Sequence, residues 1–341
     1  MATYKEIKGT QIEVLASDPS NPVEGQVWYN STSNVLKGQA ATTVGAWATG
    51  GSLNTGRRSM AGAGASSSSA LGFGGWLGPP PNTMLDLTEK YNGTSWTEVN
   101  DMNNARRSMG GAGTQTSALA FGGNQDGPPT DSIFTESWNG TNWTEVNDMN
   151  TARQQMGDAG ADNTSALAYG GAAFPTMYAN TESWNGTNWT EVNDLNTARY
   201  GLSGFGIITS ALAFGGETPP NNYKAITESW NGTNWTEVND LSFNRSFAGA
   251  AGADNTSGLV FGGYDHTTDV RTNKVELWNG TNWTEQADLS DPVGAFIQNA
   301  GAGTATSAIA FGGEGPSNQM KTQTEEWTGA GASVTRTFTD S

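Results

Sequence analysis

One phrase recurs along this chain and sets the spacing of everything else. It runs from Thr135 to Asn150 as TESWNGTNWTEVNDMN, returns at Thr181 to Asn196 and at Thr227 to Leu241, and has looser copies starting at Thr88 and Val275. Within it, Trp138 and Trp143 flank Asn139-Gly140-Thr141-Asn142. Asn-Gly between aromatic and β-branched residues predicts a hairpin, because both residues tolerate the positive φ of a tight turn. Thr144, Glu145 and Val146 extend the second strand. A lone hairpin is marginal in water, so each copy must pair with the rest of its own repeat.

That rest carries a second marker, an apolar run ending in an aromatic residue and two glycines. The aromatics are Phe73, Phe121, Tyr169, Phe214, Phe261 and Phe311, at intervals of 48, 48, 45, 47 and 50 residues. Six units of this period with four short strands each predict an all-β fold, a six-bladed β-propeller. Helical solenoids are excluded, since glycine is abundant (46 residues) and no 3.6-residue apolar period persists. In the unit Ala105 to Asn147, the small, Gly-rich stretch Arg107 to Gly113 suits an innermost strand where sheets converge. Ser117 to Phe121 suits a buried second strand, and Thr135 to Trp138 and Trp143 to Val146 the third and fourth.

The repeat opens in mid-phrase. Trp47 precedes Arg57 by ten residues, the offset that joins Trp96 to Arg106 and Trp143 to Arg153. The strand around Trp47 is therefore expected to complete the last blade as a ring closure. Val334 to Phe338 competes for that outermost position, and the sequence leaves the choice open. Residues 1–40 do not fit the repeat and read as a small amino-terminal β module, leaving residues 41–341 to the propeller. Ala2 to Leu15 has β-like content, Ser17 to Pro22 reads as a turn or linker, and Gln26 to Gly38 as a second hairpin turning at Ser31 to Asn34.

The formal net charge of −17 disfavours nucleic acid and anionic membranes as partners. No run of 18 apolar residues and no signal peptide is visible, so no membrane insertion is expected. With no cysteine, the chain has no disulfide, thiolate metal site or Cys nucleophile.

Catalytic residues are not expected. The one histidine, His266, sits in a polar loop and reads as a solvated side chain. Glu136, Glu182, Glu228, Glu276 and Glu325 recur at one position of the repeat, and Asp101, Asp148, Asp194, Asp240 and Asp288 at another. A catalytic pair would be a local exception, so repetition argues for scaffold roles. The glutamates are expected to pair with Arg106, Arg153, Arg199 or Arg245, and the aspartates to cap turns into the next blade. No calcium loop or phosphate loop is present, so no metal and no cofactor is expected. The Asn-x-Thr sequons at Asn92, Asn139, Asn185, Asn231 and Asn279 are explained by their turns.

The loops between the double glycine and the third strand differ from unit to unit. They carry Trp76, Phe134, Phe174, Tyr178, Tyr223 and Tyr264 on polar, proline-rich segments. A constant frame with varied aromatic loops is one way to present a ligand-binding face. Aromatics that only pack the loops down would give the same pattern.

The Arg-led inner strand, the apolar strand ending in Gly-Gly, the aromatic third strand and the Trp of the fourth resemble the kelch-repeat family across residues 46–341. That family spans enzymes and binding proteins. Galactose-oxidase-like copper chemistry would need a Cys-linked Tyr and His ligands, which this chain lacks. The repeated ESWNGTNWTEVNDLNTAR resembles propeller proteins of marine bacteriophages, and DPSNPVEGQVWYNSTSNVLKG resembles amino-terminal segments of phage tail-fibre and other virion proteins. These resemblances imply a non-enzymatic virion structural protein, made in the host cytoplasm and carried on the particle. Residues 1–40 would dock onto other virion proteins, and the propeller would bind a host-surface glycan or a partner protein. A polysaccharide-acting enzyme and a capsid decoration or spacer protein are the alternatives, and oligomer formation is left open.

Overall fold

The structure, a computed structural model, describes residues 12–20, 25–41, 44–78, 82–218, 222–268, 270–290, 300–315, 318–330 and 333–338. It is all-β, and among the described residues there is no helix, hence none long and apolar enough to cross a membrane. The chain forms two compact units, one from residues 1–45 and 328–341 and one from Ala46 to Trp327.

The small unit holds one four-stranded sheet in the order Glu13–Leu15, Val27–Asn30, Val35–Ala41, Ser333–Phe338. The first pair is parallel and the others antiparallel. The hairpin expected at Ser31 to Asn34 is present, with Asn34 left-handed (φ 56°) and the Asn30 Oδ1 accepting from the Thr32 and Ser33 amides. Asp18 fastens it, accepting from Trp28 Nε1 at 3.0 Å, Asn30 Nδ2 at 2.8 Å and Lys37 Nζ at 2.6 Å. These bonds, Lys37 first, lower the Asp18 pKa to about 2. The β content expected upstream of Ile12 lies outside the described residues.

The large unit is propeller-like. Its described residues form six four-stranded sheets, each with its strands in chain order except the last. The second of these sheets is typical: Gly110–Thr114, Ser117–Phe121, Thr135–Trp138 and Trp143–Val146, all antiparallel neighbours. The last sheet orders Ala300–Thr304, Ser307–Phe311 and Thr324–Thr328 and takes Ala46–Thr49 as its outermost strand. The choice left open by the sequence is thus made by Trp47's strand, while Ser333–Phe338 belongs to the small unit.

Two local expectations need correcting. In the hairpin, Gly140 takes positive φ (91°) but Asn139 does not; its Oδ1 instead accepts from the Thr141 and Asn142 amides at 3.0 and 2.9 Å. The innermost strand begins at Gly110 rather than Arg107, because Ser108 is left-handed (φ 53°) and breaks the strand. Arg106–Arg107 pairs instead with Asn124–Gln125.

The apolar residues gather into clusters, each shared by two neighbouring sheets. The aromatic ending one sheet's second strand meets the fourth-strand Trp of the next. Phe73–Trp143, Phe121–Trp189, Tyr169–Trp235, Phe214–Trp283 and Phe311–Trp96 have ring centroids 4.7 to 5.0 Å apart. Offset and edge-on aromatic pairs of this kind add about 1 kcal/mol each beyond area burial. The same Trp also reaches the sheet before it: Trp143, Trp189, Trp235, Trp283 and Trp96 donate through Nε1 to Thr88, Thr135, Thr181, Thr227 and Thr324 Oγ1 at 2.9 to 3.1 Å.

Trp47 breaks this series. It packs against Phe261 at 5.3 Å, yet its buried Nε1 has no partner among the described residues, because the position of the accepting threonine holds Val275. A buried, unpaired N–H costs roughly 1–3 kcal/mol. Val275→Thr, normally unfavourable in a core, is therefore expected to stabilise the protein by about 1 kcal/mol. A urea midpoint that falls in this variant would show that Trp47 does not face residue 275.

The double glycines explain themselves in backbone terms. Gly122 and Gly123 are left-handed (φ 61° and 99°), and the Gly123 amide donates to the Arg153 carbonyl of the next sheet at 2.9 Å. A Cβ on Gly123 would lie 2.7 Å from the Arg107 carbonyl oxygen. The same bond links Gly75 to Arg106, Gly171 to Arg199, Gly216 to Arg245 and Gly313 to Arg57.

The expected carboxylate roles hold for the glutamates. Glu136, Glu182, Glu228 and Glu276 pair with Arg106, Arg153, Arg199 and Arg245, and Glu89 pairs with Arg57, all fully buried. Glu325 has no such arginine among the described residues, and its Oε2 accepts from the Ser290 amide at 2.9 Å. The aspartates act within their own sheet rather than toward the next. Asp101, Asp148, Asp194 and Asp240 accept from the first amide of the third strand, at Thr88, Thr135, Thr181 and Thr227. Asparagine makes the link to the next repeat: Asn147 Nδ2 donates to the Thr187 carbonyl and Asn188 Oδ1, both at 2.9 Å.

Candidate functional site

With the repeated polar residues bound into the frame, the side chains that differ between repeats stand out. They cluster where each variable loop leaves its double glycine. There the loop pairs with the segment that follows the buried arginine, as Trp76 with Arg58, Asn124 with Arg107, Ala172 with Gln154, Glu217 with Tyr200 and Tyr264 with Ser246. This pairing pins the loop base of these five repeats and sets side chains of two variable positions together.

One group is cationic. The guanidinium carbons of Arg58 and Arg107 lie 4.3 and 4.4 Å from the Trp76 ring centroid, distances of favourable cation–π contact. Arg58 pairs with the buried Glu314 carboxylate, and Arg271 approaches the same Oε2 at 3.5 Å. Arg107 Nε donates to Asn124 Oδ1 at 3.2 Å. Burial lowers the Arg58 pKa to about 10, and the like charges of Arg107 and Arg271 add to that effect.

The second group is mixed. Glu217 accepts from Tyr200 Oη at 2.7 Å and from Ser246 Oγ at 3.0 Å, and His266 Nε2 lies 2.6 Å from Ser246 Oγ and 3.3 Å from Glu217 Oε1. Burial pushes the Glu217 carboxyl up, but bonds from His266, Tyr200 and Ser246 outweigh it and hold the pKa below its ordinary value. Aromatic rings flank the cluster: Tyr264 is 4.7 Å from His266, and Phe174 is 5.1 Å from Tyr200, which lies 6.3 Å from Phe247. The hairpin Tyr264–Arg271 joins the two groups, since Tyr264 pairs with Arg271 across it.

His266 is therefore not the solvated loop residue expected. Its side chain is 7% exposed, because its hairpin folds back onto Arg245–Ser246 and sets the imidazole over Ser246. The cluster also differs from a nucleophile–base–acid relay. In such a relay the acid and the nucleophile bind opposite ring nitrogens. Here Glu217 and Ser246 meet the same Nε2, and Ser246 is buried.

Of the loop aromatics singled out in the sequence, Trp76 is buried within the cationic group, whereas Phe174 and Tyr264 belong to the mixed one. Phe174 is half exposed at 50%. Phe134 and Tyr178 are half-buried and serve the frame through their carbonyls, which accept from Arg106 Nη1 at 2.7 Å and the Arg199 amide at 3.2 Å. Tyr223 pairs with Glu217 along the backbone, and its side chain lies outside the described residues. Sequence reading missed Arg58, Arg107, Tyr200, Glu217, Ser246, Arg271 and Glu314. Most of them were findable: the residue after the buried Arg and the residue after the double Gly vary between repeats whose flanks do not.

Among the described residues no group of three or more His, Asp or Glu side chains is placed to hold a metal. Comparison with known proteins adds no family to this picture: no protein-family model matches the chain, and no curated protein matches it.

Proposed function

We propose that the large unit is a closed, six-bladed, kelch-like propeller serving as a non-enzymatic binding module of a phage virion structural protein. In this reading residues 1–40 dock onto other virion proteins, and the loop rim binds a host-surface glycan or a partner protein. Closure is supported by bonds that join the last sheet to the first, Gly313 to Arg57 and Trp96 to Thr324. The virion assignment rests on the resemblance of the leader and the repeats to phage proteins.

The observation that carries the binding role is the contrast between the two classes of polar residue. The repeated glutamates and aspartates are taken up by the frame, while the non-repeating charged and aromatic side chains collect at the loop bases. Rigid frames with variable loops concentrate recognition in those loops. Phe174, half exposed and 5.1 Å from the ring of Tyr200, whose hydroxyl donates to Glu217, offers an apolar face near a hydrogen-bonding group, as suits a sugar ring.

The test is retention of the purified chain on a panel of bacterial surface polysaccharides. Phe174→Ala combined with Tyr264→Ala is expected to weaken retention at least tenfold, corresponding to about 1.4 kcal/mol, with melting nearly unchanged. Equal retention of the variant would remove the rim from consideration. Sugar released from the panel by the wild-type chain would overturn the non-enzymatic reading. Deleting residues 1–40 should abolish incorporation into particles, and full incorporation would sink the docking role.

A further inference from the structure

We propose that Asp158, together with backbone carbonyl groups around it, binds a hard cation such as Ca2+ or Na+ in the cavity between the inner strands. The inference starts from an exception within the repeats themselves. Six inner-strand residues occupy equivalent positions along this cavity: Gly62, Gly111, Asp158, Gly204, Ala250 and Gly301. Five are glycine or alanine, as close-packed inner strands require. A Cβ at Gly111 would lie 2.8 Å from that of Ala61. Only one of the six positions bears a charge.

The backbone supplies the other ligands. The Gly111 amide donates to Asp158 Oδ2 at 3.2 Å, so it points away from the neighbour Ala120 in its own sheet. In an antiparallel ladder the N–H and C=O of one residue point to the same side. The carbonyls at this register therefore lie on the free edges of the inner strands, which line the cavity. Hard cations take oxygen ligands from carboxylates, carbonyls and water. The cavity, about 60 Å³, has room for one ion with a few waters.

Among the described residues no positive side chain lines the cavity to act as a counter-charge. Met60, Met109, Met156 and Leu202 also line the cavity, and among the described residues Asp158 is the only titratable side chain that does. Tyr169 packs behind it and donates through Oη to the Asp158 carbonyl at 2.8 Å. Asp158 keeps some accessible surface, yet protein surrounds it, because that surface faces the cavity. Burial raises its pKa to about 7, only partly offset by the Gly111 amide. A carboxylate so placed takes up either a proton or a cation. The site is independent of the loop rim and of any ligand bound there.

The test uses the full chain, stripped of metal with chelator and held at pH 8 in choline chloride. Binding of radioactive Ca2+ is followed by equilibrium dialysis, and melting is followed with added CaCl2 or NaCl. Wild type is expected to bind one Ca2+ that Asp158→Asn binds at least tenfold more weakly. Saturating cation should raise the wild-type Tm by about 3–6 °C, leave Asp158→Asn unmoved, and act less at pH 5.5, where protons compete. A Tm shift with NaCl but not CaCl2 identifies a monovalent site. If Asp158→Asn does not fold, Asp158→Gly, which restores the residue of the neighbouring repeats, takes its place. Equal cation binding and equal Tm shifts in wild type and variant overturn the proposal.

Discussion

Glu182→Ala is expected to lower the stability of the large unit by about 3–5 kcal/mol, seen as a Tm lower by about 6–15 °C. The carboxylate is fully buried and fully used. Oε1 accepts from Arg153 Nη2 at 3.0 Å and the Thr151 amide at 3.2 Å, and Oε2 accepts from the Asn150 amide and Nδ2 at 2.7 and 2.9 Å. Its loss leaves the Arg153 guanidinium, itself 0% exposed, facing only the carbonyls of Gly170, Asn180 and Ala168. Burial already lowers the Arg153 pKa, with Glu182 the main opposing influence. The penalty therefore comes from stranding a charge. The double change Glu182→Leu with Arg153→Met should cost clearly less than Glu182→Ala alone, since apolar replacement of both partners removes the desolvation cost as well. Denaturant unfolding of the three proteins decides it. A loss below 1 kcal/mol for Glu182→Ala would mean that the pair is not buried as described.

Raising the pH from about 4 to about 8 in the absence of added cation is expected to cost the wild-type protein as much as about 4 kcal/mol through Asp158 alone. The sign follows from the shift. Burial raises the Asp158 pKa from 3.8 to about 7, so the folded state holds a proton that the unfolded chain releases earlier. The contribution is fully present below pH 3.8 and is lost as pH rises toward 7, beyond which it is constant. Asp158→Asn keeps the shape and cannot ionise, so its stability should lack this fall and exceed that of wild type at pH 8. Glu217 works in the opposite sense. Its lowered pKa gives stability that is lost as the solution becomes acidic, which confines its effect to the low end of the range. Stability curves of wild type and Asp158→Asn that run parallel from pH 4 to 8 would show that Asp158 is solvated.

Much of the local structure was legible because the repeat supplies its own comparison. Trp138 opposite Trp143, the second strand Ser117–Phe121 and the pairing of Glu136 with Arg106 all follow from residue types recurring at fixed spacing. The site was less legible. The aromatic loop residues were chosen by exposure and chemistry, and the structure distributes them among the frame, the cationic group and the mixed group. The residues that organise those groups, such as Arg107 and Glu217, carry no motif. Their meaning comes from which neighbour the next sheet brings near.

The sequence by itself determined the strand pattern, the hairpins, the apolar faces and the places where repeats agree or differ, because these depend on local propensity and alternation along the chain. Only the tertiary structure decided that Ala46–Thr49 rather than the strand at Val334 to Phe338 lies outermost in the last sheet, that His266 is sheltered against Ser246, and that Asp158 is the one charged side chain, among the described residues, lining a cavity of small and apolar ones. Each of these depends on contacts between residues from 20 to more than 250 positions apart. Edge pairing, desolvation and the absence of a counter-charge are properties of a neighbourhood, and no stretch of chain carries its neighbourhood with it.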